Sequence, residues 1–335
     1  MINLIIIGAG KIAENFHLPS WKRISNVNIV GIIDEDVTKA KKLAKKFNIE
    51  HFDKSLKNIL KKYSVDAVDI CSSNKSHEKL ILAALKNNLH VICEKPFVEN
   101  YKKIRKIQKI ANMKKLVCVP AQHQIFRMPS IILKKLISKK KIGVPYSIKI
   151  TSLYKKSHAI KNFSYISDKR FGGPLLDLGS HFIFLTLWLL GNPKIKFLNC
   201  FNSNLIAKKF YNRTFKTEDY SCGQILFKNN IIVNFEFSYL FNMKKKSIEK
   251  IDFFTSKENI SWPDLISSKL NNNRLCSYNK REIVKASDSM FNNFIKKIKT
   301  REKNKELDLI YSTIKIINLL QQSDKLKKGI FFENI

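Results

Sequence analysis

Over the first 120 residues, short apolar runs alternate with amphipathic stretches of helical period. Stretches such as Val37–Phe47 and His77–Asn87 carry apolar residues on one helical face and polar residues on the other. This alternation of strand and helix predicts a parallel sheet with helices on both faces and right-handed crossovers, a doubly wound α/β domain. The runs with strand character are Leu4–Gly8, Val27–Asp34, Ala67–Cys71, His90–Glu94 and Leu116–Pro120.

The pattern changes after about residue 122. One helix is predicted over Ser130–Lys139, and the strands that follow are longer and alternate with period two. The clearest is Ile231–Tyr239, which follows a turn at Asn229-Asn230. The second part of the chain is therefore predicted to be α+β, with a largely antiparallel open sheet. The stretch 244–288, rich in Asn, Ser and Lys, predicts no clear element.

The length agrees with a division into two domains. The chain has 335 residues, and domains average about 150 residues. We place the first domain at residues 1–121 and the second at residues 122–335. Hydrophobic residues make up 44% of the chain and charged residues 27%, a balance typical of globular proteins and not of disordered ones.

The net charge of +35 raises the alternative of a nucleic-acid partner. Only eight of the 62 basic residues are arginine, and the lysines are scattered through amphipathic segments. Base recognition favours arginine, and binding to single strands needs aromatic residues interleaved with the positive charge. Neither pattern is present, so we expect no nucleic-acid partner and interpret the lysines as solvated helix faces.

The cysteines indicate a reducing compartment. None of the six, which include Cys276, forms a CxxC pair, and several lie in or beside apolar runs. We therefore expect free thiols, no metal site and a cytoplasmic protein. The longest apolar stretch apart from the amino terminus, Phe182–Leu190, is far shorter than the ~20 residues that a membrane span requires, so we expect no membrane association.

A glycine-rich turn stands between the first strand and the first helix. The segment Gly8-Ala9-Gly10-Lys11-Ile12-Ala13 matches G-x-G-x-x-G/A. The first glycine permits the tight turn, the second lets a pyrophosphate approach the backbone, and the small Ala13 lets the helix pack closely. The phosphates then lie at the helix amino terminus. We predict a Rossmann domain in which Gly8, Gly10, Lys11, Ile12 and Ala13 bind a dinucleotide.

The second strand ends in an acidic residue that favours NAD over NADP. Asp34 lies 21 residues after Ala13, where a carboxylate binds the adenosine ribose hydroxyls. No arginine nearby would neutralise a 2′-phosphate. A glycine turn and a strand-end aspartate are each common, but together and in register with a strand and a helix they favour dinucleotide binding.

Two further motifs complete a resemblance to a known family. They are Cys93-Glu94-Lys95-Pro96-Phe97 at the end of the fourth strand-like run and Gly172–His181 in the second domain. With the glycine turn, they resemble the glucose–fructose oxidoreductase/inositol dehydrogenase (Gfo/Idh/MocA) family. Its hallmarks are a nucleotide-binding fold, an E-K-P triplet and a later G-G-x-L-x-D-x-G-x-H. The resemblance also implies that the Lys95–Pro96 peptide is cis.

Lesser matches add candidate binding residues. Ser72, Asn74 and His77 follow the third strand-like run, in a segment where Ser73 replaces the usual proline of the family. We assign these three and Glu94 to cofactor binding. Arg127, where the family often has R-F-x-P, is assigned to substrate binding.

The residue types suggest how hydride transfer would proceed. Lys95 ends a strand of a parallel sheet, where ligands bind, and a lysine there can stabilise a developing alkoxide. Asp177 and His181 are four residues apart on a helix that is predicted to begin at Pro174 and end at Gly191, so they share a face. We predict that His181 accepts the hydroxyl proton and that Asp177 orients its imidazole. A purely structural His–Asp pair is the alternative.

These inferences converge on an NAD-dependent oxidoreductase. Its expected substrate is a hydroxyl or ketone of a sugar, nucleotide sugar or cyclitol. The open sheet, which needs a cover on one face, suggests a homodimer or homotetramer. The alternative is a non-catalytic dinucleotide-binding regulator with the same fold, which we expect to have lost the lysine or the Asp/His pair.

Overall fold

The structure is a computed structural model that describes residues 1–155, 168, 172–211, 216–267 and 280–332. Its strands are β1 Ile2–Ile7, β2 Val27–Ile33, β3 His51–Asp53, β4 Ala67–Ile70, β5 His90–Cys93, β6 Cys118–Pro120, β7 Pro145–Lys155, β8 Ile195–Ser203, β9 Tyr220–Phe227, β10 Ile232–Phe241, β11 Ser247–Thr255, β12 Asn259–Trp262, β13 Ile266–Ser267 and β14 Ile330–Phe331. Cys276 lies outside the described residues.

The main helices are α1 Leu18–Trp21, α2 Val37–Lys46, α3 Leu56–Leu60, α4 His77–Lys86, α5 Tyr101–Met113, α6 Met128–Ser138, α7 Pro174–Asp177, α8 Gly179–Leu190, α9 Leu205–Tyr211, α10 Lys280–Thr300 and α11 Lys305–Leu326. A π-helical turn, Ala13–His17, leads directly into α1. Within the described residues, no helix combines the length and the apolar character that crossing a membrane requires.

The chain forms two compact units, and their division differs from the predicted one. Unit 1 comprises Met1–Phe126 and Lys280–Tyr311, and unit 2 comprises Arg127–Asn279 and Ser312–Ile335. The sequence analysis assigned all of residues 122–335 to the second domain. Residues 280–311 return to unit 1 because α10 buries apolar side chains there: the ring of Phe291 lies 4.2 Å from that of Trp21. Amphipathic periodicity does not reveal which core a helix joins.

Unit 1 contains the predicted parallel sheet, in the order β3-β2-β1-β4-β5-β6. All five predicted strands form, and the short β3 adds an edge that was not predicted. Residues Leu4–Ile7 are buried, as expected for a strand covered on both faces. Ile7 is in register with Ile33 of β2 and Ile70 of β4, and Ile70 with Cys93 of β5. The residues that follow these four strands therefore lie side by side at one edge of the sheet.

Unit 2 contains the predicted, mostly antiparallel sheet, in the order β13-β12-β11-β7-β10-β9-β8-β14. Among the strand pairs that the structure describes in this sheet, only β7–β10 is parallel. The predicted turn before β10 forms, with Asn230 at a φ of +62°. Helix α8 covers one face of the sheet, where Phe182 packs against Phe237 and Trp262. On other strands of this sheet, Tyr146 and Phe201 are exposed.

Candidate cofactor and catalytic sites

The glycine turn has the two properties that the motif predicts. Gly8 has a φ of +109°, and a Cβ on it would lie 2.6 Å from the carbonyl carbon of Cys71, so another residue would clash with the backbone after β4. A Cβ on Gly10 would meet nothing within 4 Å. The backbone at Gly10 is thus open to a ligand, and the helical chain begins directly after it. Lys11 and Ile12 are exposed beside this opening, whereas Ala13 is buried.

The Asp34 carboxylate is held by the backbone of this turn. Oδ2 accepts a hydrogen bond from the backbone N–H of Ala9 at 2.7 Å, and Oδ1 accepts one from that of Asp36 at 2.9 Å. The two bonds fix the orientation of the carboxylate, and each oxygen keeps capacity for a further donor. Asp34 therefore joins the end of β2 to the glycine turn.

His77 lies under the loop that contains Ser72 and Asn74. Its ring is buried, with Nδ1 2.9 Å from the carbonyl oxygen of Pro96 and Nε2 3.1 Å from that of Ser72. Burial lowers the pKa of His77, and a neutral ring donates to one of these carbonyls at a time. Both ring nitrogens thus face protein backbone. The sequence analysis assigned His77 to cofactor binding; in the structure its ring supports the loop and the Lys95-Pro96 segment.

The E-K-P triplet follows β5 at the same edge of the sheet. The Lys95–Pro96 peptide is cis, as the resemblance implied. Glu94 Oε2 accepts a hydrogen bond from the backbone N–H of Lys95 at 3.0 Å, and Oε1 lies 2.9 Å from Nε2 of His17. Burial acts to raise the pKa of Glu94, but the hydrogen bond and charge of His17, with the charge of Lys95, lower it to about 2. Both oxygens of the Glu94 carboxylate therefore have a hydrogen-bond partner within the protein.

A buried polar network behind Glu94 was not identified from the sequence. Nδ1 of His17 lies 2.7 Å from Oδ2 of Asp69, and this oxygen also accepts a hydrogen bond from Trp21 Nε1 at 2.6 Å. His17 and Asp69 are completely buried. The signal in the sequence was the aspartate itself, since a charged residue inside the central strand Ala67–Ile70 must have buried partners.

Asp69 and His17, with the buried Cys71, also lie close enough together to suggest a metal site. Two ligands of a tetrahedral Zn²⁺ at bond lengths of about 2.0 Å lie roughly 3.3 Å apart. The 2.7 Å between His17 Nδ1 and Asp69 Oδ2 is instead a hydrogen-bond distance. Burial raises the pKa of the Cys71 thiol, so the thiolate that would bind a metal is disfavoured. The donor set therefore fits a hydrogen-bonded ion network better than a metal ion.

In unit 2, the helical segment that carries the second motif begins and ends where predicted, but it is divided at Leu178 into α7 and α8, so Asp177 and His181 lie on different helices. Pro174 is the first residue of α7, and Gly191, with a φ of +80°, caps α8. Asp177 is buried and accepts a hydrogen bond from the hydroxyl of Tyr239 on β10. His181 is half-buried on the following turn. Tyr239 is a partner of the motif that the sequence analysis did not identify.

Arg127 directly precedes α6 and is buried to 2% exposure. Its guanidinium lies over the ring of Trp262, 4.5 Å from the ring centroid, and the indole Nε1 of Trp262 donates to Ser130 Oγ at 2.9 Å. This cation–π contact holds the guanidinium against the indole. Substrate binding by Arg127 stays a prediction.

Comparison with known proteins identifies the family. Residues 2–122 match the profile of an oxidoreductase family with an NAD-binding Rossmann fold, GFO/IDH/MocA, and residues 131–260 match the GFO/IDH/MocA C-terminal domain. The chain belongs to the GFO/IDH/MocA family. This confirms the family, the two-part α/β fold and the oxidoreductase class that the sequence analysis predicted.

The relatives of this GFO/IDH/MocA protein include dehydrogenases of sugars and cyclitols. It is 26% identical over 294 residues to D-glucoside 3-dehydrogenase of Escherichia coli K12, covering 84% of this chain and 83% of that protein. It is 26% identical over 198 residues to scyllo-inositol 2-dehydrogenase (NADP+) of Bacillus subtilis 168, covering 58% and 60%. The fold matches myo-inositol 2-dehydrogenase of Lactobacillus plantarum with a TM-score of 0.84, 17% identity and 99% coverage of both chains.

Proposed function

We propose that this protein is an NAD-dependent dehydrogenase of a secondary hydroxyl on a sugar, nucleotide sugar or cyclitol. The observation that carries the proposal is the shared sheet edge in unit 1. The glycine turn follows β1, and Lys95 follows β5, with β4 alone between these strands. Ligands of such sheets bind beyond the carboxyl ends of the strands. A lysine at this edge, beside an open dinucleotide turn, can therefore contact a bound cofactor or substrate.

The reaction divides into a proton transfer and a hydride transfer. Oxidation of the hydroxyl breaks its O–H and C–H bonds, and the imidazole of His181 takes the proton. Bound NAD+ would supply the acceptor for the hydride at C4 of its nicotinamide. Asp177 orients His181 and stabilises the imidazolium that forms. Lys95 donates a hydrogen bond to the substrate oxygen and stabilises its developing negative charge.

Preference for NAD is assigned to Asp34. Its carboxylate is oriented by the backbone of Ala9 and Asp36 and retains lone pairs for the ribose hydroxyls. The same negative charge repels a 2′-phosphate, so NADP is expected to bind more weakly. Because the relative from Bacillus subtilis is named as NADP-dependent, the affinities of this protein for NAD and NADP have to be compared directly.

The substrate class rests on the relatives, which act on a glucoside and on inositols. These molecules share a six-membered ring with several secondary hydroxyls. We further propose that the protein associates as a homodimer or homotetramer through the sheet of unit 2. The side chains of Phe201 and Ile232, which the strand register puts on the same face of this sheet, supply exposed apolar area there, with exposures of 61% and 43%.

The experiment that tests the proposal is a substrate survey with both cofactors. Purified protein is mixed with NAD or NADP and with methyl glucosides, glucose, inositols and UDP-glucose, and the absorbance of reduced cofactor is followed. The proposal predicts turnover of at least one ring polyol, faster with NAD. Tight NADH binding without turnover of any compound in either direction would favour the regulator instead.

A further inference from the structure

His17 has an arrangement that requires two protons on its ring. Nδ1 faces Asp69 Oδ2 at 2.7 Å and Nε2 faces Glu94 Oε1 at 2.9 Å. Asp69 Oδ2 also accepts from Trp21, and Glu94 Oε2 accepts from the backbone of Lys95. Ionised carboxylates are acceptors only, so each ring nitrogen must be the donor in its own bond. The geometry therefore indicates an imidazolium between two carboxylates.

The surroundings of this ion triad are apolar. The Phe291 ring meets that of His17 edge-on at 5.1 Å and lies against Trp21. The groups with ionisable character that face His17 are Asp69 and Cys71 from β4 and Glu94 from β5, and the Cys71 thiol is kept neutral by burial. Burial alone would lower the pKa of His17, but the charge of Asp69 and its hydrogen bond hold it well above the ordinary value. Charge-assisted bonds are strong in such an environment.

The hydrogen bonds of His17 connect it, through Glu94, to the backbone of Lys95, the lysine of the proposed reaction. Nε2 of His17 holds Oε1 of Glu94, and Oε2 of the same carboxylate accepts the backbone N–H of Lys95. His17 itself belongs to the π-helical turn that follows the glycine motif. A π-helical turn is rare and often marks a functional position. Here it places the ring against Asp69 of β4 and Glu94, which follows β5.

We propose that His17 is a positioning residue: as an imidazolium it fixes the Glu94 carboxylate, which in turn holds the backbone of Lys95 at the end of β5. This inference rests on the proposed function, because Lys95 must act on substrate for its position to matter. His17 itself does not touch the reacting atoms. Its role is to join the cofactor-binding helix to the strand that carries the lysine.

Two substitutions separate the two bonds of the ring. In His17→Gln the amide lies near the position of Nε2 and can still donate to Glu94. In His17→Asn the amide lies near Nδ1 and can donate only to Asp69. Misplacement of a catalytic group by 1 Å can lower turnover about 100-fold. We expect kcat to fall about 100-fold in His17→Asn and clearly less in His17→Gln, with NADH affinity changed by less than about threefold in both.

Trp21→Phe is the matched control, because it removes another donor to Asp69 and leaves Glu94 and Lys95 untouched. It should lower the unfolding temperature, because a donor to the buried Asp69 is lost. It should keep kcat within about threefold of the unmodified enzyme, because the lost hydrogen bond goes to Asp69 and not to Glu94 or Lys95. Equal kcat values in the two His17 variants would overturn the proposal. So would a loss of kcat in Trp21→Phe as large as in His17→Asn, because the loss would then follow stability.

A measurement that does not depend on turnover tests the charge state. In ¹⁵N-histidine spectra of the unmodified protein at pH 8, both ring nitrogens of His17 should bear protons; the His17→Gln spectrum identifies the signal. A neutral ring would overturn the proposal whatever turnover the two variants show. If the unmodified protein turns over no polyol while His17 is doubly protonated, the failure lies in the proposed function and not in the ion triad.

Discussion

Tyr239 of β10 donates a hydrogen bond from its hydroxyl to Oδ2 of Asp177, the last residue of α7. Both residues are buried, with exposures of 1% and 8%. A buried carboxylate without donors is costly, so this bond offsets part of the cost of burying Asp177 and fixes its orientation. The sheet of unit 2 therefore supports the Asp177/His181 motif directly.

Tyr239→Phe should weaken both stability and turnover. Loss of a donor to a buried charged group costs about 1–3 kcal/mol or more, and the freed Asp177 should orient His181 less well. Urea unfolding and kcat measure the two effects. Tyr220→Phe is the control, because Tyr220 on β9 donates to Glu236 at 3.0 Å, away from the motif. Equal losses of kcat in the two variants would contradict the role given to Tyr239.

Gly8 and Gly10 should respond differently to alanine. In Gly8→Ala the new Cβ meets the backbone of Cys71 and the φ is unfavourable, so the protein should be destabilised strongly. In Gly10→Ala the Cβ projects into open space, so the unfolding temperature should change little while NADH affinity falls. Thermal unfolding and NADH fluorescence titration distinguish the two effects. Unchanged NADH affinity in Gly10→Ala would show that no ligand approaches there.

Asp34→Asn should reduce the preference for NAD. The amide keeps an oxygen for the turn but removes the negative charge that opposes a 2′-phosphate, so the ratio of the NADPH and NADH dissociation constants should move toward unity. Asp53→Asn, at the end of the neighbouring strand β3, serves as the control. The assignment fails if the unmodified protein already binds NADPH more tightly than NADH.

Local pattern was sufficient for much of the fold. The apolar runs of the parallel sheet, the turn before β10 and the helical segment from Pro174 to Gly191 each depend on residues close in sequence, so periodicity and turn chemistry predict them. Strands β11 to β13 lie in the stretch for which no element was predicted, because their apolar residues are interspersed with lysine and asparagine. The pairing of β11 with β7, to which β12 and β13 are added in turn, is a long-range contact that no local pattern encodes.

In the candidate site, too, sequence patterns predict the residues of local motifs but not their long-range partners. Gly8 and Gly10 belong to a motif that its spacing predicts, whereas Lys95, Asp177 and His181 were assigned with the help of the resemblance to the family, and their roles stay predictions. The partners His17, Asp69 and Tyr239 stand at sequence distances from 48 to 77 residues from the groups that they hold, and only the fold brings them there. Asp69 was the one visible signal, as a charge inside a buried strand.

The pH dependence of stability should reveal the ion triad. The pKa of His17 is raised in the folded protein, so its stabilising effect is complete below the ordinary pKa of 6.5 and is lost as pH rises toward the folded pKa. The pKa of Glu94 is lowered to about 2, so its effect is present above 4.5 and is lost as pH falls toward 2. This pair contributes most between pH 4.5 and 6.5.

The difference between the unmodified protein and His17→Gln isolates this effect, because other titrating groups contribute to both. In urea unfolding between pH 6.5 and 9, the stability of the unmodified protein should decline more steeply, by about 1.4 kcal/mol per pH unit for one proton. Parallel curves for the two proteins would mean that His17 takes up no proton on folding.

We propose that this chain oxidises a ring hydroxyl with Lys95 beside the cofactor, and the turnover of Lys95→Met measures the contribution of this lysine. Methionine keeps the bulk of the side chain and removes its charge and donors. Lys54→Met, at an exposed position, is the control. With the best polyol of the substrate survey, Lys95→Met should lower kcat about 100- to 1,000-fold, while NADH affinity stays within about threefold and Lys54→Met behaves as the unmodified protein. Full turnover by Lys95→Met would show that Lys95 does not act on the substrate.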